Sequence, residues 1–289
     1  MRELNYIVPE RDGGRTLGAV LSGPMALSRH RISSLKFSGG ILLDGQPAHT
    51  GVRVRTGQVI SLRLEDAPAR LSPFAAALDV PWRDDDLLIV NKPAPLAAIH
   101  SARQTGDTLE NAVYTYLGCP ERFAYRPVSR LDKGTSGLMP VALNAHMHDR
   151  MQRLLHTADY VREYLAVVEG MPPQAEGVCD APIGRGDGVR RRVSPDGKPC
   201  LTHYRVEEQG KNGRVLLRLR LETGRTHQIR VHMRHLGCPI CGDYLYGAPL
   251  DALSGRFALH SAFLAFTHPL TGERVSLDCP LPEELRQLL

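Results

Sequence analysis

The sequence predicts an α+β fold, and three observations support this class. The chain has 289 residues, of which 42% are hydrophobic and 23% charged, an ordinary composition for a globular protein with a buried core. Predicted strands and helices interleave irregularly after residue 79, which favours α+β over a doubly wound parallel sheet. Neither G-x-G-x-x-G nor G-x-x-x-x-G-K-[ST] follows a predicted strand, so dinucleotide and P-loop sites have no support.

Composition also narrows the function classes. The chain has no apolar run of about 18 residues, which argues against a transmembrane helix, and residues 1–10 lack the apolar core of a signal peptide. We therefore expect a cytoplasmic protein without a membrane partner. The six cysteines are too scattered for a disulfide scaffold or a four-ligand zinc site, so we interpret Cys238 and Cys241 as packing residues.

The charge balance permits a nucleic-acid partner without requiring one. The net charge is +5, and only five of the 36 basic residues are Lys. The guanidinium group of Arg suits phosphate and base edges, but codon bias in a GC-rich genome explains the excess of Arg equally well.

Residues 1–66 form the first predicted unit, and it is basic. It contains nine Arg or Lys and six Asp or Glu, a net charge of +3. Helices are predicted over residues 15–21 and 28–37, with Ser28 as the N-cap, and strands over 40–45 and 58–64. Val52 and Val54 alternate with Arg53 and Arg55, which predicts a strand with one buried and one basic face.

This unit resembles the S-four-like RNA-binding module, which is named after a ribosomal protein of the small subunit. The resemblance rests on Leu27-Ser28-Arg29, Ile32, Leu35-Lys36, residues 40–45 and Gly57-Gln58-Val59-Ile60. The module usually has Gly-Asp where this chain has Gly57-Gln58. A generic basic unit of two helices and a few strands is the alternative. Residues 67–78 are predicted to be a linker rich in Pro and Ala.

The segment RLDKGTSGL, residues 130–138, carries the most chemistry. Asp132 lies two residues after Arg130 and is followed by a tight turn with two Gly residues, where the backbone can approach a ligand. From the residues alone, a surface turn with a salt bridge is the favoured interpretation, ahead of a functional carboxylate.

The same segment, with several motifs after it in order, resembles the RluA family of pseudouridine synthases. That family's signature is H-R-L-D-x-x-T-S-G-L, and here Ser129 replaces the His. The similarity extends from Asp84 to Pro282. Its other markers are LIVNKP at 88–93, EYLAVVEG at 163–170, TGRTHQIRVH at 223–232, GDYLYG at 242–247, Leu259-His260 and HPLTGE at 268–273. A second departure is Met139-Pro140, which we expect to bend or end a strand.

The resemblance implies a catalytic domain over residues 79–289, built on a mixed, largely antiparallel sheet with a central cleft. It implies that Asp132 is the catalytic carboxylate. Asp132 would either attack the anomeric carbon or act as a base at the ribose, and both routes remain open. The reaction involves neither redox chemistry nor hydrolysis, so we expect no cofactor and no metal.

The resemblance also assigns roles to five substrate-binding residues. Tyr164 would stack on the uracil, and Arg130 would hold the flipped nucleotide or fill the gap that it leaves. In the 223–232 motif, Thr226 is a candidate helix cap, and His227 and Arg230 share a helix face with Arg234 one turn later. Arg230 would pair with Asp132, Ile229 would belong to the apolar wall, and Arg225 would contact phosphate or the signature loop.

These predictions describe an RNA pseudouridine synthase that acts as a monomer on ribosomal RNA, with transfer RNA as the second choice. A non-catalytic RNA-binding or ribosome-assembly factor on the same fold is the alternative. A glycoside or nucleoside hydrolase would require paired carboxylates, and only one well-placed acid is visible. Arg190, Arg191 and Arg192, in a Gly-rich loop, are candidates for phosphate contact, but for each of them a solvated loop is the favoured interpretation.

Overall fold

The computed structural model describes residues 2–64, 66–101, 106–210, 212–247 and 253–289. It confirms an α+β fold with a large mixed sheet. In chain order its elements are β1 (Arg2–Ile7), α1 (Leu17–Ser22), α2 (Arg29–Phe37), β2 (Ile41–Leu43), β3 (Gln46–Pro47), β4 (Val59–Leu64), β5 (Asp79–Arg83), β6 (Leu87–Lys92), α3 (Leu109–Tyr116), β7 (Ser136–Ala142), α4 (Ala145–Leu154), β8 (Val161–Glu169), β9 (Glu176–Asp180), β10 (Ile183–Arg185), β11 (Arg191–Val193), β12 (Leu201–Gln209), β13 (Arg214–Leu221), α5 (Gln228–His235), β14 (Leu259–Thr267), β15 (Arg274–Asp278) and α6 (Glu283–Arg286).

The N-terminal elements form a small antiparallel sheet in the order β1-β4-β2-β3, covered by α1 and α2. Their apolar side chains, including Leu17, Leu21 and Ile60, form a hydrophobic cluster of their own. The Ser28 side chain accepts a hydrogen bond from Arg31 N and begins α2, as its N-cap position predicts.

The segment around Val52 differs from the predicted strand. Val54 is buried (1% exposed), but Val52 is 42% exposed, so the alternation does not give one buried face. The backbone of this segment bonds to the start of α1 and the residues before it instead of a sheet neighbour: Leu17 N donates to Val52 O, and Gly14 N donates to Val54 O. These contacts insert only Val54 into the core.

The second sheet has nine strands, eight of them in the order β5-β6-β7-β14-β8-β13-β12-β9, with β15 paired to β14. Every pairing among the described strands is antiparallel except β7–β14, where His260 pairs with Ser136 and Ser261 with Gly137. This parallel contact joins the strand after the signature loop to the centre of the sheet. No helix in the described part of the chain is both long and apolar enough to cross a membrane.

The expected break at Met139-Pro140 does not occur. β7 runs through both residues, with Ile89 of β6 opposite Pro140. Val128 N donates to Pro140 O, so the carbonyl of Pro140, and with it the nitrogen, faces residue 128 and not β6. The missing N–H of Pro140 therefore removes no bond from the β6–β7 ladder, which is why the strand tolerates a proline there.

The predicted linker lies against the larger sheet's core. Ala69 N donates to Glu121 O, and Phe74, Ala76 and Leu78 pack on the main hydrophobic cluster. Arg126, which donates to both carboxylate oxygens of Asp66, adds a further tie at the start of this segment.

Helix α4 also contacts the N-terminal elements directly. Asp149 Oδ2 accepts from Ser28 N at 3.2 Å, Arg150 donates to Pro24 O at 3.3 Å and Arg153 donates to Leu27 O at 3.4 Å. The residues between α1 and α2 are thus held to one helix of the larger unit by three polar contacts.

Candidate active site

One cleft, with a volume of about 520 Å³, brings together all six residues that the sequence singles out. It lies between the signature loop, the end of α4, strand β8 and the turn that leads into α5. The six residues are Arg130, Asp132, Tyr164, Arg225, Ile229 and Arg230.

Two glycines of the signature determine where Asp132 lies. A Cβ on Gly134 would come within 2.6 Å of the Phe257 ring, and a Cβ on Gly137 would come within 2.2 Å of Ser261 O. Gly137 also has a φ of 107°, in a region of backbone conformation that residues other than glycine rarely adopt. The loop can therefore lie directly against β14 and the residues just before it, and Asp132 projects from it into the cleft.

Asp132 is held by an arginine that is itself held by a second acid. Arg230 Nη1 donates to Asp132 Oδ2 at 3.0 Å, while Arg230 Nε and Nη2 donate to the two oxygens of Asp243 at 2.7 and 2.8 Å. Burial by itself would lower the pKa of Arg230, but the bonds to Asp243 and the charge of Asp132 outweigh it and raise the pKa. Arg230 is a permanent cation here, and Asp132 Oδ1 accepts no hydrogen bond from the residues that the structure describes.

The turn before α5 is organised by Gln228 and not by Thr226. Gln228 Oε1 accepts from Arg225 N and from Thr223 Oγ1, both at 2.9 Å. The N-cap residue is His227, whose φ of 59° is left-handed and whose side chain makes no cap bond. The predicted capping role of Thr226 is therefore wrong, because α5 begins at Gln228 and its N-cap is His227, one residue after Thr226.

His227, to which the sequence assigns no chemical role, lies in the cleft next to Asp132. Its Nε2 is 3.9 Å from Asp132 Oδ2. Burial lowers the pKa of His227, which the charge of Asp132 partly opposes. Burial therefore favours the neutral form of the imidazole.

Tyr164 lies on β8, on the same side of the strand as the buried Ala166 and Val168. Its side chain is 7% exposed and faces the cleft. Burial raises the pKa of Tyr164, and the charge of Asp132 raises it further, so the phenol stays protonated. A neutral aromatic ring in this position can stack on a planar base.

Arg130 and Arg225 are exposed at the mouth of the cleft. Arg225 Nε donates to Pro199 O at 3.3 Å, so among its described contacts it faces the 199 loop and not the signature loop. Arg234 is also exposed and is not among the residues that line the cleft.

The cleft is strongly cationic. Asp132 is the one acid among its described lining residues, against five cations: Arg130, Lys133, Arg162, Arg225 and Arg230. This composition attracts a polyanion such as a phosphate backbone. A single carboxylate is not the pair that glycoside hydrolysis requires.

Asp243 and Lys92 belong to the site's support, and the sequence alone does not reveal their roles. Asp243 is part of the GDYLYG motif, but its partner Arg230 is 13 residues away and pairs with it only in the folded chain. Lys92 is fully buried, and its ammonium group donates to Pro93 O, Leu96 O and Lys133 O, so it ties the end of β6 to the signature loop.

Comparisons with known proteins agree with this geometry. A family model described as RNA pseudouridylate synthase matches residues 86–235. The chain is 38% identical over 304 residues to the ribosomal large subunit pseudouridine synthase D of Xanthomonas campestris pv. campestris, and the match covers 98% of this chain and 90% of the relative. It is 35% identical over 274 residues to the uncharacterized RNA pseudouridine synthase YjbO of Bacillus subtilis, with coverage of 93% and 96%.

A solved structure gives the same result. Human RNA pseudouridylate synthase domain containing 1 matches with a TM-score of 0.58 and 26% identity, over 73% of this chain and 86% of the human chain. The fold and the sequence motifs thus point to the same family of proteins.

Proposed function

This chain belongs to the RNA pseudouridylate synthase family and is an RNA pseudouridine synthase, and from that premise we propose that Asp132 converts uridine to pseudouridine in ribosomal RNA. The observation that carries the proposal is the contact of Asp132 with Arg230 inside a cationic cleft that has no second described acid. The ribosomal substrate is supported by the names of relatives such as the Xanthomonas synthase D.

The reaction is an isomerisation, which one carboxylate can support. The bond between C1′ and N1 of uridine breaks, the uracil turns, and a bond forms between C1′ and C5, while the proton on C5 is lost and N1 gains one. Asp132 Oδ1 is the oxygen that we expect to act, because Arg230 already occupies Oδ2. It either bonds to C1′ or removes a proton from the ribose, and both routes need an ionised carboxylate beside a fixed cation.

The other cleft residues hold the base and its backbone. Tyr164 stacks on the uracil, and Ile229, which is 4% exposed, forms part of the apolar wall. Arg130 and Arg225 at the mouth bind phosphate or hold the flipped nucleotide. The target uridine leaves its stack to reach Asp132, since the carboxylate lies inside the cleft.

The N-terminal unit is, in this proposal, an S-four-like RNA-binding module. Its support is its basic charge and its separate hydrophobic core. The domain boundaries at residues 66 and 79, a monomeric state and a cytoplasmic location belong to the same proposal.

Release of tritium from [5-³H]uridine-labelled RNA tests the function, because the C5 hydrogen is lost only when the new carbon–carbon bond forms. We expect the full chain to release tritium from ribosomal RNA transcripts and the Asp132→Asn variant to release none. Tritium release from transfer RNA but not from ribosomal RNA would show that transfer RNA is the substrate. Absence of release from every cellular RNA would favour the non-catalytic alternative.

A further inference from the structure

His227 is oriented by a hydroxyl group outside the cleft. Tyr246 Oη lies 2.8 Å from His227 Nδ1, and the two rings meet edge to face with centroids 5.7 Å apart. Tyr246 is 9% exposed, and its ring also faces the Arg230 guanidinium at 5.0 Å. The same tyrosine therefore touches both groups that approach Asp132 Oδ2.

The hydroxyl of Tyr246 has a second partner that restricts its hydrogen. Arg191 N donates to Tyr246 Oη at 2.7 Å. Because the backbone N–H can only donate, the Tyr246 oxygen accepts in that bond, and its own hydrogen is free to point at His227 Nδ1. In that arrangement Nδ1 accepts and the ring proton lies on Nε2, the nitrogen that faces Asp132.

Arg191, whose N–H donates to Tyr246, belongs to an arginine-rich hairpin formed by β10 and β11. Strands β10 and β11 pair from Ile183–Val193 to Arg185–Arg191, and Arg185, Arg190 and Arg192 are exposed. Val193 and Tyr246 pack in one small hydrophobic cluster, so the hairpin rests on the tyrosine through side chains as well as through the backbone bond.

We propose that His227 is a positioning residue for Asp132, that Tyr246 fixes its Nε2–H tautomer, and that Tyr246 thereby links the arginine hairpin to the catalytic carboxylate. The proposal rests on the function proposed above. Asp132 Oδ2 accepts from Arg230 at 3.0 Å, and with a proton on Nε2 the His227 N–H lies beside the same oxygen, 3.9 Å from it and without a hydrogen bond, so Oδ1 is left for the reaction. A left-handed N-cap with no cap bond is what places the imidazole there.

The charges that face His227 are consistent with a neutral ring. Asp132 approaches from the signature loop, Arg230 from α5, Asp243 from the segment after α5 and Arg191 from the hairpin. Burial lowers the pKa of His227, and the two arginines lower it further against the two carboxylates. A hydrogen bond donated by Tyr246 to Nδ1 also favours the neutral ring, so loss of that bond raises the pKa.

The first test reads the tautomer and does not depend on turnover. The full chain is labelled with ¹⁵N-histidine, and the His227 signals are identified by their absence from His227→Asn. We expect the wild type to show a single Nε2–H tautomer and Tyr246→Phe to show a mixture or the other tautomer. A wild-type Nδ1–H tautomer, or an identical spectrum in Tyr246→Phe, overturns the proposal.

The second test reads single-turnover tritium release at saturating RNA. Asn tolerates the left-handed backbone of His227, and Phe retains the ring of Tyr246, so both variants are expected to fold and to bind RNA like the wild type. We expect each to lower the maximal rate about tenfold, and the double variant to be no slower than His227→Asn, because Tyr246 acts through His227. Tyr244→Phe, which removes a phenol hydroxyl two residues away on an exposed ring, is the matched control.

The pH profile separates positioning from general support of the fold. In Tyr246→Phe the acid limb of the rate profile moves to higher pH, because the neutral imidazole no longer has the bond that favoured it. An unmoved limb, wild-type rates, or additive effects in the double variant each overturn the proposal. If the wild type releases no tritium, the proposed function is wrong. The tautomer experiment does not depend on turnover, so it still tests whether Tyr246 fixes the tautomer of His227.

Discussion

Asp243 takes two hydrogen bonds from Arg230 and leaves the third guanidinium nitrogen to face Asp132. The Asp243 side chain is fully buried, and the centre of the Phe257 ring lies 4.1 Å from the guanidinium carbon. The guanidinium group of Arg230 is thus fixed in one orientation before any substrate binds. The negative charge of Asp132 is therefore balanced by a cation that cannot rotate away.

The catalytic role of Asp132 is tested by Asp132→Asn. This change keeps the size of the side chain but removes its charge and its ability to attack or to take a proton. We expect pseudouridine formation to fall below detection while the dissociation constant for RNA changes less than about threefold, since the cations of the cleft remain. Pseudouridine is measured by tritium release, and RNA binding by filter retention. A variant that works near the wild-type rate would refute the assignment.

The pairing of Arg230 is tested with a stability cycle. Arg230→Leu leaves the buried Asp243 unpaired, so we expect a loss of ~3–5 kcal/mol in the free energy of unfolding and a steep loss of activity. The double variant Arg230→Leu/Asp243→Leu removes both charges and should recover most of the stability in urea unfolding, but no activity. Normal activity in either variant would show that Arg230 is not needed for catalysis, and Arg225 would be tested next.

The close approach at Gly137 predicts an unusually severe Gly→Ala effect. A Cβ there would lie 2.2 Å from Ser261 O, at the only parallel pairing among the described strands. Gly272, with a φ of 77° and nothing within 4 Å of the added Cβ, is the matched control for backbone strain alone. We expect Gly137→Ala to cost at least ~2 kcal/mol more than Gly272→Ala in thermal or urea unfolding. Equal costs would show that β7 shifts freely.

Buried Lys92 predicts a pH-dependent stability. Burial lowers its pKa to about 7, against an opposing contribution from Asp132. The unfolded chain therefore binds more protons than the folded chain between about pH 7 and the ordinary lysine value near 10.5, and stability rises with pH across that window.

The variant for this measurement is Lys92→Met. The difference in unfolding free energy between wild type and variant, measured in urea at pH 7, 8 and 9, should shift in favour of the wild type by up to ~1.4 kcal/mol per pH unit. Other titrating groups cancel in the difference. A constant difference would mean that Lys92 stays charged.

The N-terminal unit should contribute salt-dependent affinity more than chemistry. Arg29 and Lys36 are exposed on α2, and replacing both by Ala should flatten the dependence of log affinity on log salt by roughly 0.7 for each phosphate that α2 then leaves unneutralised. The maximal single-turnover rate should not change. Arg286→Ala, which removes an exposed arginine that pairs with Glu208, serves as the control. An unchanged salt slope in the α2 variant would show that this helix is not an RNA anchor.

The sequence predicted best those features that depend on a residue and its near neighbours in the chain. Ser28 begins α2, as its N-cap position predicts, and the two glycines of the signature allow the close approach of the loop to β14 and Phe257. The family resemblance assigned site roles to six residues from different parts of the chain, and all six line one cleft in the structure.

The sequence was least informative where bonds form between distant segments. Val52 is exposed because the backbone around it bonds to α1, and Pro140 stays in a strand because its nitrogen faces away from β6. Thr226 has the sequence pattern of a helix cap, but the turn is held by Gln228 and the helix begins one residue later, with His227 as its N-cap. The roles of Asp243 and Tyr246 also depend on partners that only the folded chain places beside them.

Helix α4 gives the protein a fixed interval between two sites. Gln152, at one end of the helix, lines the cleft, as does His156 just beyond it, whereas Asp149 and Arg153 hold the N-terminal unit. Asp149 and Gln152 are three residues apart in α4, which is roughly 4.5 Å of helical rise. In the proposal that the N-terminal unit binds RNA, α4 sets the distance from that RNA-binding surface to the cleft, and lengthening or shortening the helix is expected to change which uridine is modified.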